Sequence, residues 1–127
     1  MDIVGDLTRN FSLDEFACNC GCNTPIKVSF EFIALLQQAR DIAQTSFYIT
    51  SGYRCEKRNK EAGGVSDSAH NKLPLACCDI ECVNSIPRYF ILKSLLSVFD
   101  RVGIGEDFIH VDSDSTKSPN VIWTYYA

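Results

Sequence analysis

The two histidines of the chain lie in two separate short motifs, and a carboxylate follows each of them along the chain. His70 follows Ser68 in S-A-H, Asp79 comes nine residues later, and His110 lies in D-F-I-H-V-D. A catalytic zinc ion commonly takes three protein ligands, and its ligands must be neutral imidazoles and ionised carboxylates. We therefore predict a single catalytic zinc ion held by His70, Asp79 and His110, with one position left for water.

Two further acidic residues flank His110 in the same motif. Asp107 lies three residues before it, just before or within a short predicted strand, where a bulge could bring its side chain to the metal-bound water. We predict that Asp107 acts as general base toward the attacking water and then as general acid toward the leaving amine; a solvated turn position is the alternative. Asp112 lies two residues after His110, so both side chains share one face of a strand. Asp112 could therefore accept the ring N–H of His110, and a surface position is its alternative.

Substrate-binding groups are predicted at three positions. The Arg54 guanidinium could hold a substrate carboxylate, or the oxygen on which negative charge develops during attack. Ser68 could bond a substrate amide, and Trp123 could form the wall of a cleft together with Tyr125. The structural alternatives are an ion pair for Arg54, a local turn cap for Ser68, and plain core packing for the rings.

The chain contains seven cysteines, an odd number, so at least one cannot pair within the chain. Cys18, Cys20 and Cys22 form a C-x-C-x-C run that is tighter than common structural zinc motifs. One interpretation is a second metal site in which Cys55 or Cys82 is the fourth ligand. The preferred interpretation is reduced or partly buried thiols, because the N-terminus lacks the features of an export signal.

Length, composition and charge narrow the class of protein. With 127 residues, 46% of them hydrophobic, the chain is expected to form one domain over residues 1–127, with a monomer as the favoured state. No apolar run approaches the roughly 20 residues of a membrane helix, so no stable membrane association is expected. The net charge of −4 argues against a nucleic-acid partner. The N-terminal segment predicts synthesis in the cytoplasm without a signal peptide.

Hydrophobic periodicity predicts the elements that must position these groups. Ser29 has the residue type of an N-cap for a helix that runs to about Gln44, and Pro87 precedes a second long helix over residues 88–99. A short polar helix is expected over residues 56–62. Strands are predicted over residues 47–50, 76–83, 102–104, 108–111 and 121–125. The result is a small α+β domain with helices packed on one side of a mainly antiparallel sheet.

In their order along the chain, the motifs resemble the zinc D-alanyl-D-alanine carboxypeptidase family, and within it the small phage-type peptidoglycan peptidases. The matching pieces are F-S-L-D-E-F-A-C-N-C-G-C, I-T-S-G-Y-R-C, N-K-E-A-G-G-V, S-A-H, G-I-G-E-D-F-I-H-V-D and N-V-I-W-T-Y. The resemblance implies the hedgehog/DD-peptidase fold around one catalytic zinc. It matches His70, Asp79 and His110 with the zinc ligands, Asp107 with the base, and Arg54 and Ser68 with substrate-contacting positions.

The function that this resemblance implies is hydrolysis of peptide bonds in the stem peptide of bacterial peptidoglycan. The enzyme would be a DD-carboxypeptidase or an endopeptidase of the endolysin type, with the stem peptide as its partner. It would act on the cell wall after release from the cytoplasm, or as a virion component. The alternative is a non-catalytic zinc-containing module that binds the cell wall or a protein. A redox or metal-storage protein built on the cysteines would leave the His and Asp motifs unexplained.

One loop departs from the pattern of the family. The usual motif S-x-H-x-x-G-x-A-x-D has seven residues from His to Asp, whereas S-A-H-N-K-L-P-L-A-C-C-D has nine. Two extra residues can bulge outward and leave both ligands in place, because loops tolerate insertions. A strand slip of one residue would instead turn Asp79 to the opposite face, and a slip of two would put Glu81 in its place.

Overall fold

Three α-helices and two short 3-10 helices form within residues 6–63 and 67–125, which the computed structural model describes. The α-helices are α1 (Phe30–Ala43), α2 (Glu56–Glu61) and α3 (Ser85–Val98), and the 3-10 helices span Leu13–Phe16 and Ala69–Asn71. Ser29 caps α1, because its side chain accepts a hydrogen bond from the backbone N–H of Phe32 at 3.2 Å. α3 begins three residues earlier than predicted, since Pro87 lies in the first turn, where backbone N–H groups have no intrahelical partner.

The segment after α2 reaches the edge of the described structure. Gly63 follows the helix with a φ of +75°, a left-handed conformation that suits glycine at a helix C-terminus. Gly64 and Val65, which belong to the N-K-E-A-G-G-V motif, lie outside the described residues. Among the helices of the described ranges, none has both the length and the apolar character needed to cross a membrane.

Five strands form one sheet in which most neighbours are antiparallel. They are β1 (Ile49–Ser51), β2 (Cys77–Glu81), β3 (Arg101–Ile104), β4 (Phe108–Asp112) and β5 (Val121–Thr124). Their order across the sheet is β1-β2-β4-β3-β5, and β5 runs parallel to β3 at one edge. The predicted α+β class with a mainly antiparallel sheet is confirmed.

The sheet has one apolar face and one polar face, because successive side chains of a strand point to opposite sides. The apolar face packs with both long helices into one cluster that includes Cys78, Ile80, Ile109, Val111, Phe32, Leu36 and Leu95. The intervening positions of the same strands carry Asp79, His110 and Asp112, all buried. The helices therefore cover one side of the sheet, and the candidate site residues lie on the other.

The antiparallel pairing of β2 with β4 decides which polar residues meet. Asp79 lies directly opposite His110, and Cys77 lies opposite Asp112. The register runs without a bulge to Phe108. Because residues opposite each other in an antiparallel pair have their Cβ atoms about 4.5–5.5 Å apart, this register places a carboxylate beside an imidazole.

The longer loop before β2 leaves this register intact. Leu73 and Pro74 are exposed, whereas Leu75 is fully buried and its carbonyl accepts the N–H of Ser29 at 2.7 Å. Glu81, which a slip of two residues would have brought to the site, is exposed at the far end of β2. The two extra residues are thus accommodated on the surface, before the strand begins.

The segment that follows β1 packs directly on the N-terminal part of the chain. The Tyr53 N–H donates to the Phe16 carbonyl at 2.8 Å. A Cβ atom added to Gly52 would lie 2.6 Å from both the Cα and the carbonyl oxygen of Phe16. Two backbones approach each other too closely here for a Cβ atom. Backbone atoms cannot move aside as the end of a flexible side chain could, so glycine is required at this position.

We expect Gly52→Ala to reduce the free energy of unfolding by about 3 kcal/mol, the upper end of the usual cost of overpacking. Gly63→Ala is the matched control, because Gly63 has a positive φ and no atom of the described residues lies within 4 Å of the point that its Cβ would occupy. The control should lose only about 1 kcal/mol, from left-handed strain. Urea unfolding of both variants measures the difference, and equal losses would contradict the backbone contact.

Candidate active site

Three buried side chains converge on the polar face of the sheet. His70 Nε2 lies 3.2 Å from His110 Nδ1 and 3.3 Å from Asp79 Oδ1, and the latter two atoms are 2.9 Å apart. Ligand atoms at about 2.0–2.1 Å from a tetrahedral zinc ion are separated by about 3.3 Å. The structure therefore brings the three predicted ligands together at spacings close to those of a shared ion.

The outer nitrogen of each ring has a hydrogen-bond partner that orients its inner nitrogen. His70 Nδ1 lies 2.6 Å from the Gly52 carbonyl oxygen, which only accepts, so this nitrogen carries the proton of the neutral ring. His110 Nε2 lies 2.7 Å from Asp112 Oδ2, which gives the same assignment. The inner nitrogens and the Asp79 carboxylate then direct three lone pairs at one another. A bound cation stabilises such an arrangement, so the donor set fits zinc.

The charges of the cluster reinforce one another. Burial alone would raise the pKa of Asp79. When no ion is bound, however, the inner ring nitrogens can carry protons instead, and hydrogen bonds from His110 and His70 then hold that pKa well below its usual range. Burial alone would lower the pKa of His110, but its bonds to Asp112 and Asp79 raise this pKa above its ordinary value. Asp79 is therefore ionised at neutral pH, and a metal ion competes with a proton for His110.

Asp112 holds His110 from behind and is itself held by two further groups. Its Oδ1 accepts from Arg101 Nε at 2.6 Å and from the Asp114 N–H at 3.0 Å, while Oδ2 faces His110. Burial opposes ionisation of Asp112, but the bonds from His110 and Arg101 lower its pKa. The Arg101 guanidinium also lies over the Trp123 ring, 5.0 Å from its centroid. This chain of contacts fixes the orientation of the His110 ring.

Arg54 lies at the edge of the cluster. Its Nη2 is 3.4 Å from Asp79 Oδ2, and its Nε is 3.2 Å from Ser51 Oγ. The side chain is 18% exposed and lines the cleft above the cluster. A guanidinium has more N–H donors than these two bonds use, so Arg54 can also bind an oxygen of a ligand.

Ser68 and Trp123, the other predicted substrate contacts, also line the cleft. Ser68 Oγ accepts the N–H of His70 at 3.2 Å and caps the short 3-10 helix, which is the structural role considered for it. The Trp123 ring lies 5.5 Å from that of His110, between centroids. Tyr125 stands beside it, and burial raises the pKa of its phenol to about 12, so it keeps its proton at neutral pH.

Asp107 is not brought to this cluster. It is exposed in the bend before β4 and does not line the cleft. Because β4 pairs with β2 without a bulge from Asp112 to Phe108, a position three residues before His110 falls toward the opposite side of the sheet. The Asp107 carbonyl accepts the N–H of Cys82 at 2.8 Å, which fixes the segment. The geometry therefore gives no support to Asp107 as general base, and that role stays a prediction.

The cleft holds about 480 Å³ and contains two cations that the sequence did not suggest. Arg101 and Lys117 line it together with Arg54, against the two carboxylates of Asp79 and Asp112. These five side chains carry one positive charge in excess, which the exposed Asp67, 3.2 Å from Lys117 Nζ, offsets. No local motif marks Arg101 or Lys117. The pairing of β3 with β4 brings Arg101 to the site, and the loop between β4 and β5 brings Lys117 there.

Comparison with known families places the chain. The sequence model described as Peptidase M15 matches residues 9–112, which is most of the chain, and the protein belongs to this family. Membership supports a zinc peptidase of the peptidoglycan-active kind in general. The matched range includes all three candidate zinc ligands and ends before Trp123. No curated protein matches the chain.

We expect Asp112→Asn to weaken zinc binding by about 10- to 100-fold, because the charged partner of the His110 ring is lost. Competition with a chromophoric chelator measures the affinity, and thermal unfolding shows whether the variant is folded. Asp67→Asn is the matched control, since Asp67 is an exposed carboxylate 3.2 Å from Lys117 Nζ. The control should change the affinity by no more than about twofold, as expected for an exposed pair. Unchanged affinity in Asp112→Asn would contradict the supporting role of Asp112.

Proposed function

We propose that the chain is a zinc metallopeptidase that hydrolyses peptide bonds of the peptidoglycan stem peptide. The observation that carries the proposal is the convergence of His70, Asp79 and His110 in a cleft of a Peptidase M15 chain, with ligand atoms within 3.3 Å of one another. Catalytic zinc sites with three protein ligands leave a position for water or substrate. The place of action is then the bacterial cell wall, reached after release from the cytoplasm or within a virion.

The residues around the ligands have distinct roles in this proposal. A zinc ion bound there would supply a Lewis acid for the scissile carbonyl and for the attacking water. Asp112 and the Gly52 carbonyl hold the two imidazole rings with their lone pairs directed into the cluster. Arg54 lies beside Asp79 and would bind the oxygen on which negative charge develops, or a carboxylate of the substrate.

The charge of the cleft supports carboxypeptidase action over endopeptidase action. Arg54, Arg101 and Lys117 line the cleft, their charges are balanced by Asp79, Asp112 and the adjacent Asp67, and a bound zinc ion would make the site positive. A cleft with an excess of one sign of charge attracts ligands of the other sign. Only cleavage of the terminal residue places a free main-chain carboxylate beside the scissile bond, and the lining would bind such a group.

Mass spectrometry of purified peptidoglycan fragments tests the proposed reaction. After incubation with zinc-loaded protein we expect a product lighter by one terminal residue, and no product in a chelated sample or with His110→Ala, which removes a zinc ligand. Separation of a cross-linked fragment into two would assign endopeptidase action instead. Absence of any product from several wall chemotypes, with zinc bound, would overturn the peptidase proposal.

Asp107→Ala tests the predicted base directly. Because its side chain is exposed and outside the cleft, we expect the variant to keep zinc and to hydrolyse the substrate at nearly the rate of the original chain. Removal of a true general base would cost about 10²- to 10⁴-fold. Glu106→Ala, a change at the neighbouring exposed carboxylate, is the control. A rate loss of that size in Asp107→Ala, but not in Glu106→Ala, would assign proton transfer to Asp107. The bend before β4 would then have to move to bring its carboxylate into the cleft.

A second candidate is a non-catalytic zinc-containing module that binds the cell wall or a protein. The placement of Asp107 favours it, since the carboxylates among the described lining residues are Asp79 and Asp112, and both already contact the histidines. Sedimentation with purified cell walls separates the two candidates. Zinc-dependent co-sedimentation that leaves every fragment intact would support the module.

A further inference from the structure

Four thiols from two separate segments meet beside the cleft. Cys18, Cys20 and Cys22 lie in the loop before α1, and Cys55 directly follows Arg54. The Cys20 Sγ lies 3.3 Å from that of Cys18 and 3.5 Å from that of Cys55. All four sulfur atoms lie within 4.8 Å of one another. The fourth member is therefore Cys55, one of the two partners that the sequence allowed.

The spacing of the sulfur atoms fits a shared metal ion better than a disulfide. Four sulfurs bound tetrahedrally at about 2.3 Å from zinc are about 3.8 Å apart. The sulfurs of a disulfide are about 2.05 Å apart and form one pair. Cys20 approaches two sulfurs at once, at 3.3 and 3.5 Å. A single ion can bind all four groups, whereas a disulfide would use only two.

The loop is shaped so that its three thiols face the same point. Gly21 and Asn23 have φ values of +78° and +55°, and the Gly21 N–H donates to the Cys18 carbonyl at 3.5 Å, so the chain turns at the start of the loop. No atom of the described residues lies near the point that a Cβ of Gly21 would occupy, so this glycine is explained by its backbone conformation and not by crowding. Asn19 Nδ2 donates to the Thr50 carbonyl at 3.0 Å and anchors the loop to β1.

The second segment contributes more than its thiol. The Cys55 backbone N–H donates to Cys18 Sγ at 3.4 Å, and hydrogen bonds to metal-binding sulfur tune such sites. Cys18 is buried, Cys55 is partly buried, and Cys20 and Cys22 are exposed, so an ion can enter from solvent. Four cysteines complete the coordination of zinc and leave no position for substrate, which is typical of a structural site.

We propose that Cys18, Cys20, Cys22 and Cys55 bind a second zinc ion, which joins the loop before α1 to the segment that carries Arg54. This site is separate from the one formed by His70, Asp79 and His110. Its ligands are thiolates, a soft donor set that selects zinc over magnesium or calcium. The two segments are far apart in sequence, and the loop is largely exposed. The ion would therefore connect them where hydrophobic packing does not.

Metal analysis of the whole chain, purified with a reductant and dialysed against zinc, gives the first test. We expect two zinc ions per chain, one after Cys20→Ser, and one after His110→Ala. Cys82→Ala is the matched control, since Cys82 is a buried thiol outside the cluster and its variant should retain two. A single zinc ion in the original chain that Cys20→Ser leaves in place would overturn the proposal.

Cobalt substitution gives a second test that does not depend on a folded cysteine variant. The cobalt-loaded original chain and His110→Ala should both show the sulfur-to-cobalt charge-transfer band of a tetrathiolate site, which a site of two histidines and one aspartate lacks. Absence of that band would overturn the proposal. A disulfide within the cluster would overturn it as well, and it is detected by counting alkylated thiols in the denatured protein with and without prior reduction. His110→Ala removes only the site formed by His70, Asp79 and His110. The band in this variant therefore reports on the cysteine site alone, whether or not the original chain has peptidase activity.

Discussion

The register between β2 and β4 is the constraint on which the candidate active site depends. A strand presents alternate residues to opposite faces, so the same pairing that buries Ile80 against Ile109 puts Asp79 opposite His110 on the polar side. A shift of one residue would exchange the two faces and expose the apolar residues of both strands. The energy of the hydrophobic core, and not the metal ligands themselves, therefore selects the register that assembles the site. This explains how the loop before β2 can be longer than the family pattern without displacing Asp79.

The short segment from Gly52 to Arg54 positions His70, the ligand that lies outside the strands. Its glycine carbonyl accepts from His70 Nδ1, and the Arg54 N–H donates to the His70 carbonyl at 2.7 Å, so one stretch of backbone fixes both ends of this ligand. The same stretch lies against the backbone of Phe16, at a distance that only glycine permits. The core contact, the ring orientation and the position of the guanidinium therefore depend on one another.

Much of this arrangement could be predicted from the sequence, because it follows from local periodicity and residue type. Ser29 marked the start of α1, and the strands were recognisable from their β-branched and apolar residues, with boundaries displaced by at most two residues. The placement of Asp107 could not be predicted, because a position three residues before His110 reaches the same side only if a bulge interrupts the strand, and no sequence signal decides this. Arg101 was missed for a different reason: its contact with Asp112 arises from the pairing of β3 with β4, which spacing along the chain does not show.

Arg54 connects the two groups of potential metal ligands. Its guanidinium reaches the Asp79 carboxylate at 3.4 Å, and the next residue, Cys55, belongs to the four-thiol cluster. A guanidinium that is to recognise a substrate oxygen must be held at a defined position, because a long side chain otherwise loses rotational entropy on binding. The bond to Asp79 holds the end of the side chain, while the loop contacts at Cys55 hold its backbone. A metal ion in the thiol cluster would thus act on the cleft without touching a substrate, by fixing the backbone from which Arg54 extends.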